Sequence, residues 1–433
     1  MHEVTAGLVS LFVLIALFVS GLELAFAMAI VAVAGYAYIV SPSAAMNMLA
    51  NDIFDSLDSY GLTVVPLFVL MGQVAFHAGI ARKLYDSANK FVGHIPGGLG
   101  IATIAGATLF KAICGSSGAT VATFASVAVP EMERFGYDRK LSAGLVAVVG
   151  TIGILIPPSV VLIVLGLITQ QSIGKLFLAG AIPGLMLSFL FGLIVLAWCK
   201  INPSVGPRSV KYNWSARLKT TPQIVWPVAI FAVIIGGLMS GFFTPTEAGS
   251  VGAFTVLALT VVKKDIGFSG ALASVKEALR TSCMILLLIS FSTSFGHFIA
   301  ITDIPSNIGE WIVALPFSRH VIVIVIFLVY IVGGSFIDDL AFMLMATPIF
   351  FPLFLKLGYD PLWSCIMIAL TVCIGSVIPP IAVCVFIVKN ITKLPLGVIY
   401  RGVYPFLAAL VLVVALMFVF PEITLWLPSV LMK

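Results

Sequence analysis

Three kinds of residue stand out from an otherwise apolar chain as able to do chemistry. Asp338 and Asp339 are adjacent carboxylates inside one long hydrophobic run, and Lys111 is a lone ammonium inside another. Ile-Pro-Pro occurs twice, at Ile156-Pro157-Pro158 and at Ile378-Pro379-Pro380. Carboxylates at membrane depth are costly and face a pathway, an ion or a partner charge. Structural pairing with another buried segment is the plainer alternative for the aspartates. Tandem prolines remove backbone donors and clash with the preceding turn, which frees carbonyls around 153–156 and 375–378. Freed carbonyls at the midplane suit a small hard cation such as sodium, while the N-termini of the half-helices that follow favour an anion. One such site alone reads equally well as a simple kink; two, each accompanied by a polar break in a neighbouring segment, point to ion and substrate sites. Lys111 lies three residues before such a break, too deep for easy snorkelling. It is expected to face a cavity, either attracting an anionic substrate or acting as a tethered cation.

The elements that must position these groups are unusual spans. Residues 97–130 and 319–356 are apolar but interrupted near their centres, by Cys114-Gly115-Ser116-Ser117-Gly118-Ala119-Thr120 and by Gly333-Gly334-Ser335-Phe336-Ile337-Asp338-Asp339. Each flank of about 15 residues makes roughly 22 Å of helix, which suits two half-length helices meeting in a re-entrant hairpin. Non-helical backbone at that depth is tolerated where it faces protein or a water-filled cavity. Close helix packing through small residues explains the glycines and serines but not the aspartates. Ser116, Ser117, Thr120, Asp338 and Asp339 are thus candidate cavity residues at two hairpin tips. The two Ile-Pro-Pro helices, 143–171 and 362–388, are expected to be broken spans.

The chain repeats itself. An offset of 222 residues aligns Gly136-Tyr137-Asp138 with Gly358-Tyr359-Asp360 and the two Ile-Pro-Pro motifs without a gap. Between Gly136 and Val161, eleven of 26 positions are identical to their partners, and the same offset pairs Pro130 with Pro352 and Gly180 with Gly402. Repetition on this scale means two homologous halves. Loop charge indicates that they are inverted. Arg134, Arg139 and Lys140 flank the first Gly-Tyr-Asp, whereas only Lys356 lies near the second, so the positive-inside rule puts the two loops on opposite sides. A parallel repeat is the alternative. The expected organisation is a first repeat over 1–199, a basic cytoplasmic connector over 200–222, and a second repeat over 223–433. The stretch 41–61, with Asp52, Asp55 and Asp58 and no Lys or Arg, reads as a loop on the other side.

Composition fixes the solvent. Of 433 residues 61% are hydrophobic and 9% charged, against about 25% charged in a soluble domain. That excludes a single soluble domain and leaves room for about ten spans. The expected fold is an all-α polytopic membrane protein, with residues 5–20 as a retained first span rather than a signal peptide. The net charge of +5 does not suggest nucleic acid. The six cysteines form no CxxC pair, and the five histidines (His2, His77, His94, His297 and His320) show no HExxH-type spacing. No catalytic residue and no metal site beyond sodium is therefore expected, and an intramembrane enzyme is disfavoured. So is a passive channel, because hairpins with broken helices imply occlusion.

Taken together, four segments resemble the large membrane subunit of TRAP (tripartite ATP-independent periplasmic) transporters over nearly the whole chain. They are Phe110-Lys111-Ala112-Ile113-Cys114-Gly115-Ser116-Ser117, Gly153-Ile154-Leu155-Ile156-Pro157-Pro158-Ser159, Thr244-Pro245-Thr246-Glu247-Ala248 and Ile378-Pro379-Pro380. The resemblance implies an elevator-type importer of the bacterial inner membrane, driven by sodium, without ATP or any cofactor. It implies as partners a separate four-helix small membrane subunit and a periplasmic substrate-binding protein that delivers a small organic anion, a carboxylate or sulfonate. It also implies a first sodium site at Lys111, Cys114, Gly153, Ile156 and Pro158, and a second, mapped by the repeat, at Gly333, Gly375, Ile378 and Ile381, mostly through backbone oxygens. The chain departs from the family pattern at Lys111 and Cys114, where serine is frequent, and at Ile378, where threonine is. A stand-alone cation-coupled anion carrier with the same hairpin plan, working without a binding protein, is the alternative function.

Overall fold

The computed structural model describes residues 2–304, 307 and 316–432, and among these it contains helices and no strand. In chain order the α-helices are α1 (His2–Val19), α2 (Leu24–Ile39), α3 (Pro42–Asp58), α4 (Val64–His77), α5 (Ile80–Val92), α6 (Gly98–Cys114), α7 (Ser117–Arg134), α8 (Arg139–Leu155), α9 (Val160–Ile168) and α10 (Ile173–Ile201). They continue as α11 (Trp214–Met239), α12 (Pro245–Val262), α13 (Phe268–Ile301), α14 (Arg319–Phe336), α15 (Asp339–Lys356), α16 (Pro361–Gly375), α17 (Val383–Thr392), α18 (Leu396–Val419) and α19 (Glu422–Leu431). Among the described residues eight helices are long and apolar enough to cross a membrane, or nine if the bent pair α8–α9 counts as one span. Large side chains such as Phe12, Phe189, Phe242 and Phe254 lie on the outside, where a water-soluble monomer would not tolerate so much apolar surface. This is a multi-pass membrane protein.

The repeated Gly-Tyr-Asp is a helix-to-helix connector, built the same way twice. Gly136 and Gly358 take the left-handed conformation (φ +79° and +80°) that ends α7 and α15. Tyr137 and Tyr359 then donate their amides to Met132 and Phe354, closing each C-terminus. Asp138 caps α8 by accepting from the Lys140 amide, and Asp360 caps α16 by accepting from the Leu362 and Trp363 amides. Both tyrosine rings reach back to the start of their hairpin: the Tyr137 hydroxyl accepts from the Leu99 amide, and the Tyr359 hydroxyl lies 2.8 Å from His320 Nδ1. The offset of 222 carries the bounds of α7 onto those of α15 residue for residue.

Packing interleaves the two halves. The helix α7 lies against α17, and α9 against α15, so the second arm of each hairpin packs on the second half-helix of the other repeat. The breaks themselves lie on α8 and α16, which are neighbours. Around them stand α2, α3, α4, α12 and α13, with α4 packed on both α12 and α13. At the start of α12, Thr244-Pro245-Thr246-Glu247 is a complete capping box with proline at the first helical position.

Three expectations need correction. The acidic stretch 41–61 is not a loop: Ser41 caps α3 by accepting from the Ala44 amide, and Asp52 is buried against α13, accepting from Ser294 Oγ at 2.8 Å and pairing with His297. Its three aspartates had made an amphipathic helix look like a solvated connection. Residues 200 and 201 of the basic connector 200–222 still belong to α10, and Asn213 caps α11 at the Ala216 amide, so only residues 202–213 lie outside helices. The hairpin arms are 17 or 18 residues long rather than about 15, because the tip residues Ser116 and Asp338 serve as helix caps and shorten the irregular stretch.

Candidate functional site

Both hairpin tips and both breaks meet at one cavity of about 270 Å³. Its wall includes Cys114, Gly115, Ser116 and Ser117 from the first tip and Asp338 and Asp339 from the second. Val160 and Val161 at the start of α9, and Val383 at the start of α17, complete the inner side. The outer side is closed by Gly72 and Gln73 of α4 and by Thr281 and Met284 of α13.

Four helices therefore begin at this cavity: α7, α9, α15 and α17. A helix N-terminus carries about half a positive elementary charge and amides without intrahelical partners. Local groups take up part of this donor capacity. Asp338 caps α15 with Oδ1 on the Leu340 and Ala341 amides at 3.1 and 3.4 Å, and Ser116 Oγ caps α7 at the Ala119 amide. The Cys384 and Val385 amides at the start of α17 are taken up by the Ser376 and Ala382 carbonyls. What remains are the amides of Ser117, Gly118, Val160 and Val161, for which no acceptor exists among the described residues. Such amides at paired helix N-termini make an anion cradle.

The aspartates stand opposite this cradle. Asp338 is exposed to the cavity and Asp339 half-buried, with Asp339 Oδ1 accepting from the Leu340 amide at 3.0 Å. Lys111 and Thr120, expected in the cavity, are not part of its wall. Thr120 is fully buried and donates to the Ser116 carbonyl at 2.9 Å, holding the first turn of α7. Lys111 is 1% exposed and turned inward, with Nζ donating to Ser117 Oγ at 3.2 Å. Its stem lies across Gly153 of α8, so that any Cβ there would overlap the lysine carbons. A long flexible chain can thread under a tip in a way that helical spacing does not reveal.

The positions mapped to sodium sites come together in two unlike clusters. In the first, Lys111 covers Gly153, the Lys111 carbonyl accepts from the Gly115 amide, and the Cys114 carbonyl abuts Gly72 of α4. The carbonyls of Ile156 and Pro158 accept no protein hydrogen bond. With a fixed ammonium side chain lying over Gly153, this cluster does not fit a free sodium ion. In the second, Gly375 packs on the Gly334 backbone, and the Ile381 and Ala382 amides both donate to the Ser335 carbonyl. The carbonyls of Gly333 and Gly375 accept from the Ile337 and Ile378 amides, while those of Ile378 and Ile381 are free of protein donors. From Tyr330 to Val388 the one basic residue is Lys356, at the far end of α15. Free carbonyl oxygens fit a small hard cation. The two breaks also differ in exposure: Pro157 and Pro158 are buried, Pro379, Pro380 and Ile381 exposed.

Comparison with known proteins agrees with this architecture. A family profile described as tripartite ATP-independent periplasmic transporter, DctM component, matches residues 8–423. The chain belongs to this family. It is 34% identical over 387 residues to the C4-dicarboxylate TRAP transporter large permease protein of Pseudomonas aeruginosa, covering 89% of this chain and 90% of that one. It is 32% identical over 423 residues to the sialic acid TRAP transporter large permease protein of Vibrio cholerae, covering 97% and 98%. Among solved structures, the YdaH transporter of Alcanivorax borkumensis shares the fold with a TM-score of 0.63 at 13% identity, over 89% of this chain and 88% of that one. This TRAP large permease subunit thus has permeases, not enzymes, as its relatives.

Sequence reasoning missed the scaffold side of the cavity. Gln73 and Thr281 are single polar residues in apolar helices, a weak signal that only the packing of α4 and α13 against the tips makes meaningful. The Asp52–Ser294–His297 cluster was also missed, since its members are about 240 residues apart in sequence.

Proposed function

We propose that this chain is the permease subunit of a binding-protein-dependent secondary transporter that imports a small organic anion into a bacterial cell across the inner membrane. The observation that carries this reading is the convergence of four half-helix N-termini on one cavity, with unpaired amides left at α7 and α9. A volume of about 270 Å³ lies just below the usual range for small-molecule sites, roughly 300–1,000 Å³. It suits a small carboxylate or sulfonate. The named substrates of the two relatives, a C4-dicarboxylate and sialic acid, are both carboxylates. In this reading the two halves are inverted repeats, and the body formed by hairpins and broken helices moves as an elevator against α4 and α13, carrying the anion from one face to the other. Sodium drives the step, binding at the second break through backbone oxygens near Gly333, Gly375, Ile378 and Ile381. A small four-helix membrane subunit and a periplasmic substrate-binding protein complete the system.

The test begins with the ligand of the cognate periplasmic protein, identified by mass spectrometry of the purified complex. Uptake of that ligand, radiolabelled, is then measured in proteoliposomes holding both membrane subunits, with and without the binding protein and with and without an inward sodium gradient. The proposal expects accumulation only when protein and gradient are both present. Uptake without the binding protein would make the chain a stand-alone carrier, and uptake indifferent to sodium would remove the coupling.

A further inference from the structure

We infer that the ammonium of Lys111 is a built-in coupling cation: it takes the place of a free sodium ion at the first break, so the protein binds one sodium ion where its repeated fold provides two cradles. The inference rests on the sodium-coupled reading above and specifies its stoichiometry.

Each repeat brings two helix C-termini together. The helices α6 and α8 end at Cys114 and Leu155, and Lys111 in the last turn of α6 lies directly on Gly153 in the last turn of α8. In the second repeat α14 and α16 end at Phe336 and Gly375, with Gly334 against Gly375. A helix C-terminus carries about half a negative elementary charge, so each pair presents about one. The breaks add carbonyls that no amide can satisfy. Both cradles therefore call for one positive charge of small size.

The first repeat supplies that charge covalently. The lysine could have served substrate attraction instead, but it is 1% exposed, forms no part of the cavity wall and directs one of its three N–H donors to Ser117 Oγ. Its Ser117 bond ties the cation to the first residue of α7, where the anion cradle begins. The second repeat has glycine, Gly333, at the equivalent position, and from Tyr330 to Val388 its own chain carries no basic residue but Lys356 at the far end of α15. Exposure follows the same division. The first break is sealed, with Ser159 fully buried, whereas its counterpart in the second, Ile381, is 39% exposed on the surface of the chain. A permanent cation needs no entry path; an exchangeable one does.

The test counts ions directly. Equilibrium binding of radioactive sodium to the purified full-length protein, with potassium as the background salt, is expected to saturate at one ion per chain. Lys111→Ser, which removes the stem from Gly153 and restores an oxygen, is expected to bind two, with the Hill coefficient of sodium-induced thermal stabilisation rising from about 1 to about 2. Lys111→Arg, which keeps the charge, stays at one. Equal non-zero counts in wild type and a monodisperse Lys111→Ser protein overturn the inference while leaving sodium coupling intact. Should Lys111→Ser not fold, the wild-type count decides alone, since two ions per chain is incompatible with an occupied first cradle. No sodium bound by any form removes the sodium-coupled reading, and the inference with it.

Discussion

Gly72 is where α4 touches the first hairpin tip, and Gly72→Ala is the sharpest perturbation of that contact. A Cβ at Gly72 would overlap the Cys114 carbonyl oxygen and come within 3.0 and 3.1 Å of its carbon and Cα. These are backbone atoms, so no rotamer change relieves the clash. Nor can α4 retreat easily. Its other face is seated on α12, where a Cβ at Gly252 would already lie 2.7 Å from Met71 Sδ and one at Gly249 3.1 Å from Leu67 Cβ. The hairpin tip must yield. Overpacking of this kind costs about 1–3 kcal/mol. Charged against the closed arrangement alone, that is about a 5- to 150-fold shift towards arrangements in which the tip has left α4.

Cys114 reports the shift. It is 4% exposed in the closed arrangement and lies on the cavity wall. In a Cys283→Ser background, which removes the exposed cysteine, maleimide labelling of Cys114 should accelerate at least about five-fold in Gly72→Ala, the lower end of the same range. Gly118→Ala is the control, because its Cβ meets only Ile387 Cδ1 at an ordinary 3.5 Å, and it should leave labelling unchanged. Equal labelling in Gly72→Ala and its parent would refute the claim that α4 closes the cavity by direct backbone contact with the tip.

Four further substitutions, at three positions, test the cap and the helix packing. Asp338→Asn keeps a side-chain acceptor for the Leu340 and Ala341 amides and should retain the melting midpoint, whereas Asp338→Ala should lose about 1 kcal/mol of helix-cap stabilisation; a melting curve in which Asn and Ala behave alike would mean the carboxylate is not acting as a cap. Gly402→Ala should destabilise by about 1–3 kcal/mol, because its Cβ would overlap the Lys140 carbonyl where α18 meets α8. Gly236→Ala, facing open space on α11, should instead gain up to about 1 kcal/mol from helix propensity. Thermal scans of the two purified variants should move in opposite directions.

The parts of the site legible in the sequence were those written in backbone chemistry. Proline pairs break helices wherever they stand, Gly-Tyr-Asp ends one helix and caps the next, and a repeat at a fixed offset doubles the weight of each motif. Those rules placed Cys114, Ser116, Ser117, Asp338 and Asp339 at tips that share one cavity wall. What depended on tertiary packing was not legible. Lys111 points under the tip rather than into the cavity because Gly153 of another helix leaves room for its stem, and no local pattern records that vacancy. Asp52 gave an acidic, loop-like signature, yet it is buried because Ser294 and His297 wait on α13, far away in sequence. Side-chain direction and partner identity follow from neighbours, and neighbours here come from both halves of the chain.

That interleaving bears on how an ion and an anion can be coupled without a long pathway. The helix α17 starts at the second break, where free carbonyls suit a cation, and it packs along α7, whose first amides form part of the anion cradle. An ion that orders the 376–382 segment therefore acts on an element already touching the substrate side. The reciprocal contact is α9 on α15, which links the first break to the tip bearing Asp338 and Asp339. Coupling free energy needs a shared two-state element that both ligands bias. In this fold that element is the crossed pair of hairpin arm and half-helix, present twice. On the proposal above, Lys111, tied to Ser117 at one tip, holds the first copy in a single charged state, and the second copy responds to an ion that comes and goes.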